Sequence, residues 1–126
     1  MQLNEDTHFK GRDRRTKDWF SVDNSFLNGY AKKVGSVGQS IYLALCRHSN
    51  KRDVAYPSLR HLSKELGISI GSVSAGVNNL LSYNIIKITK SSRGLFIYYL
   101  LDKSEWKKIS RTDWSNLSKE LKKEVQ

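Results

Sequence analysis

Cysteine is almost absent from this chain of 126 residues: Cys46 is the only one. A lone cysteine cannot close an intramolecular disulfide, and its place in an apolar stretch marks it as a small core residue. No run of eighteen apolar residues occurs, which excludes a helical membrane span, and the polar, charged N-terminus does not read as a secretory leader. A cytoplasmic location without membrane contact is expected. His8, His48 and His61 lie far apart, with no cysteine or carboxylate at a metal-ligand spacing, so neither a metal nor another cofactor is expected. Gly35, Gly38, Gly67, Gly71 and Gly76 do not follow a strand in the order of a phosphate-binding loop. Nor is there a paired-carboxylate or serine and histidine arrangement in a recognisable frame, and an enzyme is not expected.

Acid is scarce as well. Lysine and arginine total 22 against 12 aspartate and glutamate, a formal net charge of +10. Residues 58 to 101 carry five basic side chains and one carboxylate, Glu65. A field of that sign concentrates polyanions at the surface. The length suffices for one domain, and 38% hydrophobic residues allow a modest core.

What is present is clearest between Ser58 and Leu81. Leu59, Leu62 and Leu66 recur at helical spacing, Gly67 ends that helix, and Ile68 plugs the turn. Ser69 can cap a second helix whose buried stripe is Val73, Val77, Leu80 and Leu81. Two short helices at a tight turn make a helix-turn-helix. Gly71, Ser72, Ser74, Ala75, Asn78 and Asn79 are left facing outward, a small and polar set that permits close approach to another surface. Gly76 costs roughly 1 kcal/mol of helix propensity relative to alanine, so it marks a close approach either to a neighbouring helix or to DNA.

Asn84 then stands where a left-handed cap would end the second helix. Residues 85 to 89 and 95 to 101 read as two strands, joined by Lys90-Ser-Ser-Arg-Gly94 with its turn residues and two cations. The expected fold is mainly α with a small β-hairpin (α+β), a winged helix-turn-helix.

From about Phe20 to Leu101 the chain resembles the winged-helix domains of plasmid and phage replication initiators and the helix-turn-helix modules of bacterial regulators. The stretches that carry the likeness are Phe20-Ser-Val-Asp-Asn-Ser-Phe-Leu27, Gly38 to Asn50, Ala55-Tyr-Pro-Ser-Leu-Arg-His-Leu62, and the paired leucines followed by Ile85-Ile86. The resemblance implies recognition of double-stranded DNA in replication initiation or transcription regulation. Many such modules place an arginine or lysine in the middle of the recognition helix, where it can bond guanine. Here that stretch reads Ser74-Ala75-Gly76, and no long cation lies between Ile70 and Tyr83.

On that reading the helix from Ile70 to Tyr83 enters the major groove. Ser69, Gly71 and Ser72 offer amides and hydroxyls to a phosphate, while Ser74, Ala75, Asn78 and Asn79 meet the bases. Ala75 suits a thymine methyl, and the asparagines suit adenine. Tyr56, Ser58 and Arg60, at the start of the first helix, grip the backbone, and Lys90, Ser92 and Arg93 on the wing hold the adjoining strand or groove.

Two other readings stand beside this one. The winged helix could pack on another protein through its small-residue helix, or it could bind nucleic acid generally through the wing and a basic arm. Residues 1 to 18, with Lys10, Arg12, Arg14, Arg15 and Lys17, form that expected flexible arm. Asp23 or Asn24 is expected to cap a short helix at the start of the domain, which spans 19 to 101. Residues 102 to 126 read as a helical extension in two pieces, Ser104 capping residues 105 to 109 and Thr112 or Asp113 capping the rest. Trp114, Leu117 and Leu121 give its second piece a narrow apolar stripe. That stripe folds back on the domain or pairs with the same helix of a second subunit in a homodimer.

Overall fold

A computed structural model describes residues 9 to 13 and 17 to 109. Three helices and three short strands follow one another: α1 (Tyr30–His48), β1 (Val54–Ala55), α2 (Leu59–Leu66), α3 (Ile70–Ser82), β2 (Ile86–Lys90) and β3 (Phe96–Leu100). The α+β winged helix-turn-helix is therefore the observed fold.

Local sequence accounts for the α2-α3 unit. The Ser58 hydroxyl accepts the His61 N–H at 3.0 Å and caps α2, while Ser69 accepts the Ser72 N–H at 3.1 Å and caps α3. Between them Gly67 adopts φ 69°, a left-handed conformation in which its N–H reaches Ser63 O at 2.9 Å. Asn84, at φ 55°, ends α3 in the same way. Val73, Val77 and Leu80 are buried as their spacing requires, and Leu81 is half-buried.

Tertiary structure adds to the sequence expectation, or departs from it, in four places. The first helix spans Tyr30–His48, and it is broken at Gly35, whose φ of 78° and ψ of 172° are not helical. Such a break frees carbonyls of the preceding turn, and two side chains take them up. Gln39 Nε2 donates to Ala31 O at 2.8 Å, and Asn79 Nδ2 donates to Val34 O at 3.2 Å from across the helix pair.

The hairpin, second, is part of a three-stranded antiparallel sheet ordered β1-β3-β2. Val54 pairs with Tyr99 and Ala55 with Tyr98 on one side of β3, while Ile88 pairs with Tyr98 and Lys90 with Phe96 on the other. The wing strands lie one residue inside or beyond the expected limits, Ile86–Lys90 and Phe96–Leu100. A two-residue strand such as β1 has no periodicity to read.

The early helix, third, is a single 3-10 turn, Asn24–Leu27, capped by the Asp23 carboxylate, which accepts the Ser25 N–H at 2.8 Å. Fourth, the helix expected over 105 to 109 is a 3-10 turn, Lys103–Glu105, and its cap is Asp102 rather than Ser104. The chain cannot continue as a helix there because Trp106 is drawn into the core. Its ring is 4% exposed and packs edge-on against Phe26, Tyr30 and Tyr42 at 6.4, 5.0 and 6.4 Å. Its indole N–H donates to Leu101 O at 3.0 Å, so both its apolar body and its polar edge are satisfied. The segment expected from Thr112 onward, with its stripe of Trp114, Leu117 and Leu121, lies outside the described residues.

α1 packs chiefly on α3, and the crossing is made by two glycines. A Cβ on Gly76 would stand 2.5 Å from Ile41 Cδ1 and 3.3 Å from the Gly38 backbone nitrogen. Gly76 is thus explained by a neighbouring helix. Ile41, Leu45, Leu62, Leu80, Ile85 and Tyr98 complete a core with no buried charged side chain among the described residues. Cys46 lies in that core, and burial pushes its thiol up to about 11. At neutral pH it is protonated and unreactive.

Candidate nucleic-acid interface

A groove runs between α3 and the wing. Leu59, Ser74, Asn78, Leu81, Ile88 and Phe96 line it, so the N-terminal end of α2, the outward face of α3 and both wing strands border one depression. Tyr98 forms part of its floor, with a buried hydroxyl that has no hydrogen-bond partner among the described residues. Burial raises the pKa of that hydroxyl above its ordinary value.

Every side chain expected at the interface reaches the surface. Tyr56, Ser58, Arg60, Ser69, Gly71, Ser74, Ala75, Asn78, Asn79, Lys90, Ser92 and Arg93 are exposed, and Ser72 is half-buried. Several are also committed within the protein. Ser58 and Ser69 hold their helix caps, and the Ser69 hydroxyl donates to Ser72 Oγ at 2.9 Å. Asn79 spends an amide hydrogen on Val34 O. Asn78, Ser74 and Ala75 have no such side-chain bond described, and Asn78 and Ser74 border the groove. Tyr56 and Ser58 line a different depression, shared with Pro57, His48 and His61.

The wing tip is organised by a residue that sequence reading passed over. Ser91 Oγ accepts the N–H groups of Arg93 and Leu95 at 3.3 and 3.1 Å, while its backbone N–H donates to Leu95 O at 2.9 Å. Gly94, at φ 78°, closes the turn. Lys90 extends its ammonium over the ring of Phe96, a groove residue, at 5.2 Å. A serine at the first position of a Ser-Ser-Arg-Gly turn is the signal that could have identified it.

Of the basic arm, Lys10, Arg12 and Lys17 are described, whereas Arg14 and Arg15 are not. Arg12 lies over the Trp19 ring at 5.4 Å.

One constellation was not anticipated. His48 and His61, distant in sequence, are adjacent in space, with ring centroids 5.2 Å apart. Glu65 joins them, its two oxygens 3.0 and 2.8 Å from His48 Nε2. The spacing of His61 and Glu65 on one helix was visible in the sequence, but the arrival of His48 from the end of α1 was not.

No curated protein matches the chain. The family model of a helix-turn-helix domain matches residues 40 to 86, from within α1 to the first residue of β2, and so covers α2, α3 and the turn between them while stopping short of the wing. Sequence match and geometry coincide on a helix-turn-helix domain that carries a wing, and the match supports DNA as its partner.

Proposed function

We propose that this protein binds double-stranded DNA by laying α3 in the major groove and resting the wing on the adjoining backbone or minor groove, as a factor in replication initiation or transcription regulation. The observation that carries the reading is the groove itself. Ser74 and Asn78, uncharged and free of helix-capping duties, face it from one side, and the wing with Lys90 and Arg93 rises on the other. Base edges are read by groups such as the Asn78 amide, and phosphates are held by cations. Tyr56 and Arg60 extend the backbone contacts beyond the start of α2. Nothing in this arrangement calls for catalysis, and the proposal is a binding protein that works in the cytoplasm. The choice between replication and transcription rests on resemblance to initiators and regulators, because fold alone does not fix function. A homodimer through the stripe of Trp114, Leu117 and Leu121 would place two such helices on a two-fold site.

A second reading has its own observation. With Asn79 tied to Val34 O and no lysine or arginine along α3, few groups on that helix are left to read bases, which suits a general nucleic-acid binder acting through the wing.

Selection from a random duplex library at two salt concentrations, with the intact chain, tests both. Neutralising about five phosphates gives a slope of log affinity against log salt of roughly −4 to −5. Recovery of a sequence motif supports the first reading, salt-sensitive binding without a motif the second, and a slope near zero overturns both.

A further inference from the structure

α1 ends at His48, and α2 carries His61 in its first turn and Glu65 in its last. A spacing of four puts His61 and Glu65 on one face of their helix, and the packing of α1 against α2 brings His48 to that face. One donor atom from each of the three lies within 4.8 Å of the other two. We propose that His48, His61 and Glu65 form a binding site for a divalent transition-metal ion, with zinc as the ion the donors suit. The inference is independent of the DNA reading.

Two imidazole nitrogens and a carboxylate are a donor set for zinc and its neighbours, whereas calcium and magnesium require more oxygens. Zinc bonds of about 2.0–2.2 Å in a tetrahedral arrangement separate neighbouring donors by roughly 3.4 Å. His48 Nε2 and Glu65 Oε2 are joined by a hydrogen bond at 2.8 Å, which an ion would replace by moving the two atoms slightly apart. The remaining distance closes by rotation of His61, whose exposed side chain turns without disturbing the core. Three protein ligands leave a fourth position for water, and the depression beside the histidines, walled by Tyr56, Pro57 and Ser58, has room for it. Arg47 stands beside the cluster, with Nη1 3.3 Å from Glu65 Oε2. It is 64% exposed and can swing into solvent when an ion takes over the charge of Glu65. The ion would clamp the end of α1 to α2, a junction with far less packing than α1 has with α3.

The test is calorimetric titration of the full chain with Zn2+, with Co2+ absorption reporting the coordination. Expected results are saturable binding of one ion per chain, the intense visible band of tetrahedral cobalt, and a rise in Tm with Zn2+. His61→Ala should weaken binding more than about tenfold and abolish the rise in Tm while leaving the circular dichroism unchanged. Should that variant fail to fold, Glu65→Gln, which keeps the shape of the side chain, must show the same weakening. His8→Ala should bind as the parent does. Absence of saturable binding, or full affinity in a folded His61→Ala or Glu65→Gln chain, overturns the proposal.

Discussion

α3 and the wing face each other across one groove and are built on opposite terms. The helix carries no lysine or arginine, buries Val73, Gly76, Val77 and Leu80, and is held to α1 by a glycine crossing and by Asn79. The wing carries exposed Lys90 and Arg93 on a turn that one serine organises. A rigid uncharged helix supplies shape and a few directed hydrogen bonds, and a charged hairpin supplies attraction without direction. Under the proposed function, affinity therefore resides in the wing and discrimination in the helix.

Reversing the wing charges is the strongest way to break that division. Lys90→Glu with Arg93→Glu should lower duplex affinity by about a hundredfold, near 2.7 kcal/mol, and flatten the salt slope by about two, as measured by fluorescence anisotropy across a salt series. A double variant that keeps its affinity would move the binding surface elsewhere. Gly76→Ala tests the rigidity of the helix instead. The added methyl meets Ile41, Val37 and the Gly38 backbone, so a stability loss of about 1–3 kcal/mol is expected in chemical denaturation. If stability holds, the crossing is softer than its distances imply.

The two neighbouring asparagines give the finest comparison. Asn78→Ala should leave folding intact and cost about 1–3 kcal/mol of preference for the selected site over a mismatched one. Asn79→Ala should instead cost about 1 kcal/mol of stability, because Val34 O loses its donor at the Gly35 break. Equal effects of the two changes on specificity would show that Asn79 also reads a base.

The two helix breaks show why some of this was legible in sequence and some was not. Gly67 is followed within two residues by a capping serine, and the leucines before it and the valines after it keep separate periodicities. Gly35 has no such frame, because the carbonyls it frees are satisfied by Gln39 and by Asn79 from another helix. The interface followed the same rule. Exposed positions on α3 could be read from helical spacing, but which of their side chains were already engaged could not. Trp106 looked like part of a separate extension until its ring met Phe26, Tyr30 and Tyr42.

Sequence alone determined the cap at Ser69, the turn at Gly67, the left-handed stop at Asn84 and the charge of the wing, because each depends on residues a few positions apart. Tertiary structure alone decided the glycine crossing of α1 and α3, the third strand, the burial of Trp106 and the meeting of His48 with His61 and Glu65. Those depend on which surfaces pack together, and packing brings into contact residues that no local pattern connects.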